Sequence, residues 1–253
     1  MTGTIAYFDS DFADSIYRSR DMPGNLAQTV VEAFWSAVKA DPTTPLVTFY
    51  DDASGERVEL SGATLANWVA KTANMLVHGL GLGPGDIAAV RLPPHWQTAA
   101  VLLGCWNAGI CVDVTASHRA AVAFVAEGAT ADADEIYALS LAPLGLPFRP
   151  GPPAGTADFV VEVRPHGDAF THRVRPETPA LADGTTHARL VEAASALGPP
   201  TGPRVLVDGD RTTDPLHWLV APLVAGASVV LCRHTDASRL PARLESERAT
   251  PFP

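Results

Sequence analysis

Few residues in this chain combine a type and a spacing that could do chemistry. Arg173 and Arg175 could grip a phosphate through their guanidinium forks. Glu177 and Asp183 lie close by in sequence, so a solvated loop is the expected reading of both arginines. His166, Asp168 and His172 could ligate a metal ion, but neither spacing is a zinc pattern and no third strong ligand is evident, so no metal is expected. Asp208-Gly209-Asp210 could hold a cation, yet Asp-Gly after a strand is first of all a turn signal. A Ser-His-Asp hydrolase needs a Gly-X-Ser-X-Gly elbow, and the sequence has none. Chemistry that needs a lysine has only Lys39 and Lys71 to draw on. Cys105, Cys111 and Cys232 form no Cys-X-X-Cys pair and lie in apolar stretches, as buried reduced thiols do. No catalytic constellation is expected.

Composition narrows the classes. The 253 residues suffice for a sizeable core, and 47% hydrophobic with 18% charged residues indicates a globular chain. A net charge of −10 with scattered basic residues argues against a nucleic-acid or anionic-membrane surface. No apolar run approaches the roughly 20 residues that span a bilayer. The first residues lack a basic, apolar leader pattern, so a cytoplasmic location is expected.

The elements that must position any site follow from periodicity and punctuation. Residues 1–24 read as a loose arm, and Asn25 as the cap of a helix carrying Leu26, Val30, Phe34 and Val38 on one face. A hairpin is expected over 46–60, then a helix led by Ser61 and stopped by Gly81. Residues 87–91 read as a strand, 95–108 as a helix and 110–114 as a second strand. Such a unit favours a right-handed crossover in a parallel sheet. Residues 117–127 are expected as a helix, 135–141 and 159–163 as strands, and 185–197 as a helix. The final elements are a strand over 205–207, a helix over 215–225, a strand over 228–232 and a helix over 236–248. Five prolines and three glycines mark a surface loop over 143–155. The five tryptophans, Trp35, Trp68, Trp96, Trp106 and Trp218, sit on expected helices and read as core. The alternation predicts an α/β fold, one mostly parallel sheet flanked by helices, formed by residues 25–253 as a single domain.

Two blocks carry a resemblance. Gly83-Pro84-Gly85-Asp86, a strand, Leu92-Pro93-Pro94, a helix and Asn107-Ala108-Gly109 before a strand make the first. Pro222-Leu223-Val224-Ala225-Gly226-Ala227-Ser228-Val229-Val230-Leu231 makes the second. In this order they resemble the N-terminal part of adenylate-forming enzymes, the AMP-binding or acyl-CoA synthetase superfamily, as a shortened member. Family members commonly have Asn and Lys where this chain has Pro94 and Asn107. His217 in Asp214-Pro215-Leu216-His217 is similar to a family Pro-X-Phe-His, at a shorter distance from Pro222 than usual. The arginine and alanine bias resembles that of small actinobacterial proteins.

The resemblance implies enzymes that join a carboxylate to AMP from ATP with Mg²⁺ and pass the acyl group to a thiol. Their phosphate loop is rich in glycine and hydroxyl residues and carries a lysine. Here the corresponding stretch, 164–187, has no lysine and no glycine-rich run. Gly184-Thr185-Thr186 echoes it, and His187-Ala188-Arg189-Leu190 echoes the stretch that often follows it. The expected function is therefore a non-catalytic derivative, binding a protein or a small acyl or nucleotide ligand, without a cofactor. A homodimer or protein partner is expected, because the absent second half of the parent domain would leave an edge or face uncovered. The alternative is an acid–thiol ligase-like enzyme binding ATP or AMP through Arg173, Arg175, Gly184, Thr185, Thr186 and His187.

Overall fold

The computed structural model describes residues 27–115, 117–171, 174–200 and 202–252. The expected arm over 1–24 and the Asn25 cap lie outside them. Helix α1 (Val30–Ala40) starts from Thr29, whose hydroxyl accepts from the Glu32 amide at 3.0 Å while the Glu32 carboxylate accepts from the Thr29 amide at 3.2 Å. This reciprocal cap sets the helix start later than Asn25. Strands β1 (Pro45–Asp51) and β2 (Glu56–Ser61) form the expected hairpin. Ser61 caps α2 (Gly62–Asn74), which continues as a π turn over Met75–Gly79 before Gly81 ends it at φ +70°. Then follow β3 (Ile87–Arg91), α3 (Trp96–Asn107) and β4 (Cys111–Asp113), with β3 and β4 parallel as expected.

Two expectations fail next. Residues 117–127 are not a helix, because β5 (Ala120–Ala126) runs there between β3 and β6 (Ala133–Leu139). Its alanines suit a helix in isolation, but burial inside a parallel sheet overrides that preference. Residues 159–163 are not a strand. After β7 (Ala157–Asp158), the Asp158 carboxylate accepts from the amides of Val160 and Val161 and starts the short α4 (Phe159–Val163). The Asp cap decides the element against the β-branched run. The rest is as expected in type: α5 (His187–Ala196), β8 (Arg204–Asp208), a π turn over Leu216–Val220 leading into α6 (Ala221–Val224), β9 (Ser228–Arg233) and α7 (Leu240–Glu247). Strand β10 (Thr250–Pro251) completes the described chain.

The α/β, mostly parallel character holds, but the strands divide into two sheets. One is ordered β10-β8-β9-β1-β2, antiparallel only at the β1–β2 hairpin; the other is β4-β3-β5-β6-β7, wholly parallel. Every residue of α3 is buried. A helix apolar all round belongs inside a core, not on a surface. The main core cluster joins Phe49 and Leu231 of the first sheet to Val90 and Phe124 of the second, with Leu102 and Trp106 of α3 in the same cluster. All three cysteines are buried and free, and Trp96, Trp106 and Trp218 are buried in the core. Among the described residues no helix is long and apolar enough to cross a membrane.

Candidate functional site

The second sheet reverses its winding at β3. The chain runs from β3 through α3 to β4 on one side, then crosses to β5 on the other. In open parallel sheets, ligands bind outside the carboxyl ends of the strands where the winding reverses. A cavity of about 590 Å³ opens there. Val90, Arg91 and Leu92 line it from the end of β3, Ala129 from beyond β5, and Thr98 from α3. Asp214 and Pro215, just before the π turn, and Trp218 within it close the cavity. A smaller apolar pocket of about 100 Å³ adjoins, sharing Val114, Leu181, Asp214 and Pro215 and adding Trp106, Leu190, Leu216 and Val220.

Three polar groups in this crevice stand out. Arg91 is half-buried and has no ion-pair or hydrogen-bond partner among the described residues. Trp218 is buried, and its indole N–H donates to nothing. Leaving such a donor unpaired costs about 1–3 kcal/mol, which a bound acceptor would offset. Asp214 uses one carboxylate oxygen to accept the Leu216 amide at 2.9 Å, holding the turn that presents Trp218. The arrangement offers a cation beside an apolar recess.

The stretch echoing a phosphate loop is built otherwise. Gly184, Thr185 and Thr186 do meet in one groove at the start of α5, with Asp183, Arg189 and Glu192. Their polar groups are already engaged, however. The Asp183 carboxylate accepts the Thr185 amide at 2.9 Å, and the Thr186 hydroxyl caps α5 by accepting the Arg189 amide. The Thr185 carbonyl accepts from Ala180 and Leu181. Two carboxylates and consumed amides make a poor anion cradle. His187 is fully buried, with neither ring nitrogen partnered, and burial pulls its pKa down to about 4. Arg175 is exposed, stands 3.8 Å from Glu177, and does not line the groove. Arg173 lies outside the described residues, as does His172.

The His166 carbonyl accepts from Lys71, and the candidate set His166, Asp168 and His172 is incomplete among the described residues. Asp208-Gly209-Asp210 is a turn. Asp208 accepts from the Asp210 amide and the Thr235 hydroxyl, and Asp210 from Arg233 and the Thr235 amide. A Cβ on Gly209 would stand 3.0 Å from the Cys232 carbonyl, which is why glycine serves there.

Sequence reasoning passed over Arg91 and Trp218, and also the pair Asp113–His118. Arg91 was visible as a charge at the end of a buried strand; Trp218 gave no sign beyond core. The Asp113 carboxylate accepts from the Thr115 amide and hydroxyl and from the amide and ring of His118. Burial pushes that carboxyl up, but these hydrogen bonds outweigh it and hold its pKa down to about 2.

Residues 34–144 match the AMP-binding enzyme family. The fold is similar to an acyl-CoA synthetase of Brucella canis, with TM-score 0.67 and 16% identity over 96% of this chain and 49% of that one. It is also similar to the acetoacetyl-CoA synthetase of Streptomyces lividans, with TM-score 0.63 and 20% identity over 81% and 38% of the two chains. The chain thus spans about half the length of these solved structures or less. A TIGR03089 family protein of Mycobacterium tuberculosis is 38% identical over 231 residues, 84% of this chain and 93% of that relative. At that identity and coverage, the chain belongs to the TIGR03089 family, and its fold resembles the N-terminal part of acyl-CoA synthetases.

Proposed function

We propose that this protein is a non-catalytic derivative of the adenylate-forming fold that binds a small molecule in the crevice at the carboxyl ends of β3 and β5. The carrying observation is that Arg91, which has no partner among the described residues, and Trp218, whose buried indole N–H is unpaired, both line one cavity at the reversal of the sheet. A small acyl compound fits this chemistry, its anionic end on Arg91 and its chain in the apolar recess. Fold similarity does not carry the relatives' activity over. The engaged amides and the carboxylates beside Gly184-Thr185-Thr186 weigh against the alternative of an ATP-using enzyme.

Calorimetric titration of the purified chain separates the two. Short branched carboxylates are expected to bind, and Arg91→Met to abolish the heat, while ATP–Mg²⁺ and AMP give none. Nucleotide binding tighter than about 100 μM, near −5.5 kcal/mol, would instead establish the enzyme reading. A second reading, association with another copy or a protein partner, draws on the exposed Leu144, Leu146 and Val161. A concentration-independent monomer in sedimentation velocity would retire it.

A further inference from the structure

Unpartnered buried polar groups also gather at the start of α3, away from the crevice. Gln97 is 0% exposed, and neither atom of its amide has a hydrogen-bond partner. The indole N–H of Trp96, also buried, has none either. A strap over residues 141–148 covers them. Gly145 seats it: a Cβ there would stand 3.1 Å from the Trp96 ring, 3.3 Å from the Gln97 amide nitrogen and 3.5 Å from the Trp68 ring. Trp68 meets Trp96 edge-on at 5.4 Å, and Phe159 stacks on Trp68 at 6.4 Å.

The strap holds itself in an unfavourable shape. Leu141 and Leu144 have φ of +52° and +58°, a left-handed conformation that leucine disfavours. Leu144 is 74% exposed, so its own burial does not offset that conformation. Within the strap the Gly145 amide donates to the Ala142 carbonyl at 3.1 Å, the Leu146 amide to the Pro143 carbonyl at 3.3 Å and the Ala142 amide to the Ser140 hydroxyl at 3.2 Å. Arg164 donates to the Gly145 carbonyl at 2.9 Å, Ser140 to the Leu146 carbonyl at 2.6 Å, and the Phe148 amide to Asp158 at 2.7 Å. Observed backbone strain of this kind is a ground for a functional hypothesis. Here it coincides with a buried amide that the closed strap leaves unsatisfied.

We propose that the strap is the closed lid of a second binding pocket, in which Gln97 reads a planar nitrogen heterocycle held against Trp68 and Trp96. A primary amide presents one donor and one acceptor in a plane, which a lactam edge complements with two hydrogen bonds. The indole rings supply the stacking faces. Lifting Gly145 off Trp96 opens the space, releases both leucines from the left-handed region and gives the Gln97 amide partners. None of Trp68, Trp96, Gln97 or Gly145 lines the crevice at β3 and β5, so this proposal does not rest on that one.

The test uses the full chain, labelled with ¹⁵N, and two probes: 2-pyridone and N-methyl-2-pyridone, which lacks the N–H. Titration with 2-pyridone is expected to shift the Gln97 side-chain amide and the Trp96 indole resonances. The N-methyl compound should bind at least about tenfold more weakly, each lost hydrogen bond being worth a factor of that order. Gln97→Leu should remove the response and leave the fold intact. Leu144→Gly favours the left-handed closed strap and should slow amide exchange at Gly145 and Leu146 about fivefold. The apparent Kd for 2-pyridone should rise by the same factor, because affinity scales with the open fraction. Shifts absent from Gln97 and Trp96, equal binding of the two probes, or slowed exchange with an unchanged Kd would each overturn the proposal.

Discussion

Two buried histidines govern how this protein responds to acid. Burial holds His187 at about 4, and burial with the charge of Arg233 holds His95 at about 3, against an ordinary value of 6.5. The unfolded chain therefore takes up protons at both rings before the folded chain does. Their stabilising effect is complete above pH 6.5 and is lost as pH falls toward those lowered values. Denaturant unfolding should show stability dropping between pH 6.5 and 4 by up to about 2.7 kcal/mol per pH unit, two protons' worth. His187→Leu should halve that slope. Asp113 contributes in a different window: its carboxyl is held at about 2, so its stabilisation is present above about pH 4 and lost only below that. A slope unchanged by His187→Leu would remove that ring from the account.

The connections between elements carry the next constraints. Six residues, 114–119, join parallel strands β4 and β5 across β3, where a dozen or more are usual. Asp113 makes this possible, gathering the amides of Thr115 and His118 into one turn. Asp113→Ala leaves those donors without an acceptor and should destabilise the chain by about 2–4 kcal/mol in chemical denaturation. The α2–α3 contact is equally close. A Cβ on Gly104 would stand 2.5 Å from Thr72 Cβ, so the Gly104 backbone packs directly against the Thr72 side chain. Gly104→Ala should cost about 1–3 kcal/mol through overpacking, despite alanine's better helix propensity. A stabilised Gly104→Ala variant would mean the helices can separate without loss.

At the scale of the molecule, the crevice and the sheet reversal make one prediction about ligands. Anything bound at Arg91 and Trp218 stabilises the fold by mass action, about 2.7 kcal/mol at a hundredfold excess over Kd. A short branched carboxylate should therefore raise the thermal midpoint in proportion to the logarithm of its concentration. Arg91→Met should abolish the rise and leave the unliganded midpoint close to the parent, because Arg91 pairs with nothing in the fold. The same substitution lowering the unliganded midpoint by many degrees would give Arg91 a structural role instead. Arg243 of α7 pairs with Asp52 at 2.7 Å and covers the Tyr50 ring, clamping that helix on the far face.

Much of this was legible in the residues. Ser61, Gly81 and the Pro93-Pro94 pair announced where elements begin and end, because caps, left-handed turns and missing donors act locally. The block around Gly83 lies inside the stretch that matches the AMP-binding enzyme family, and the run 164–187 carries no lysine and no glycine-rich stretch. Local rules failed where distant partners decide. Residues 120–126 are a strand only because β3 and β6 bury both edges, and 159–163 are a helix only because Asp158 turns its carboxylate onto their amides. The division into two sheets and the meeting of Arg91 with Trp218 across 127 residues depend on how α3 is enclosed. So does the burial of Gln97 beneath Gly145. The sequence by itself determined most of the elements and the family likeness; only the tertiary structure decided the two misread elements and which polar groups were left without partners, since both depend on what packs over them.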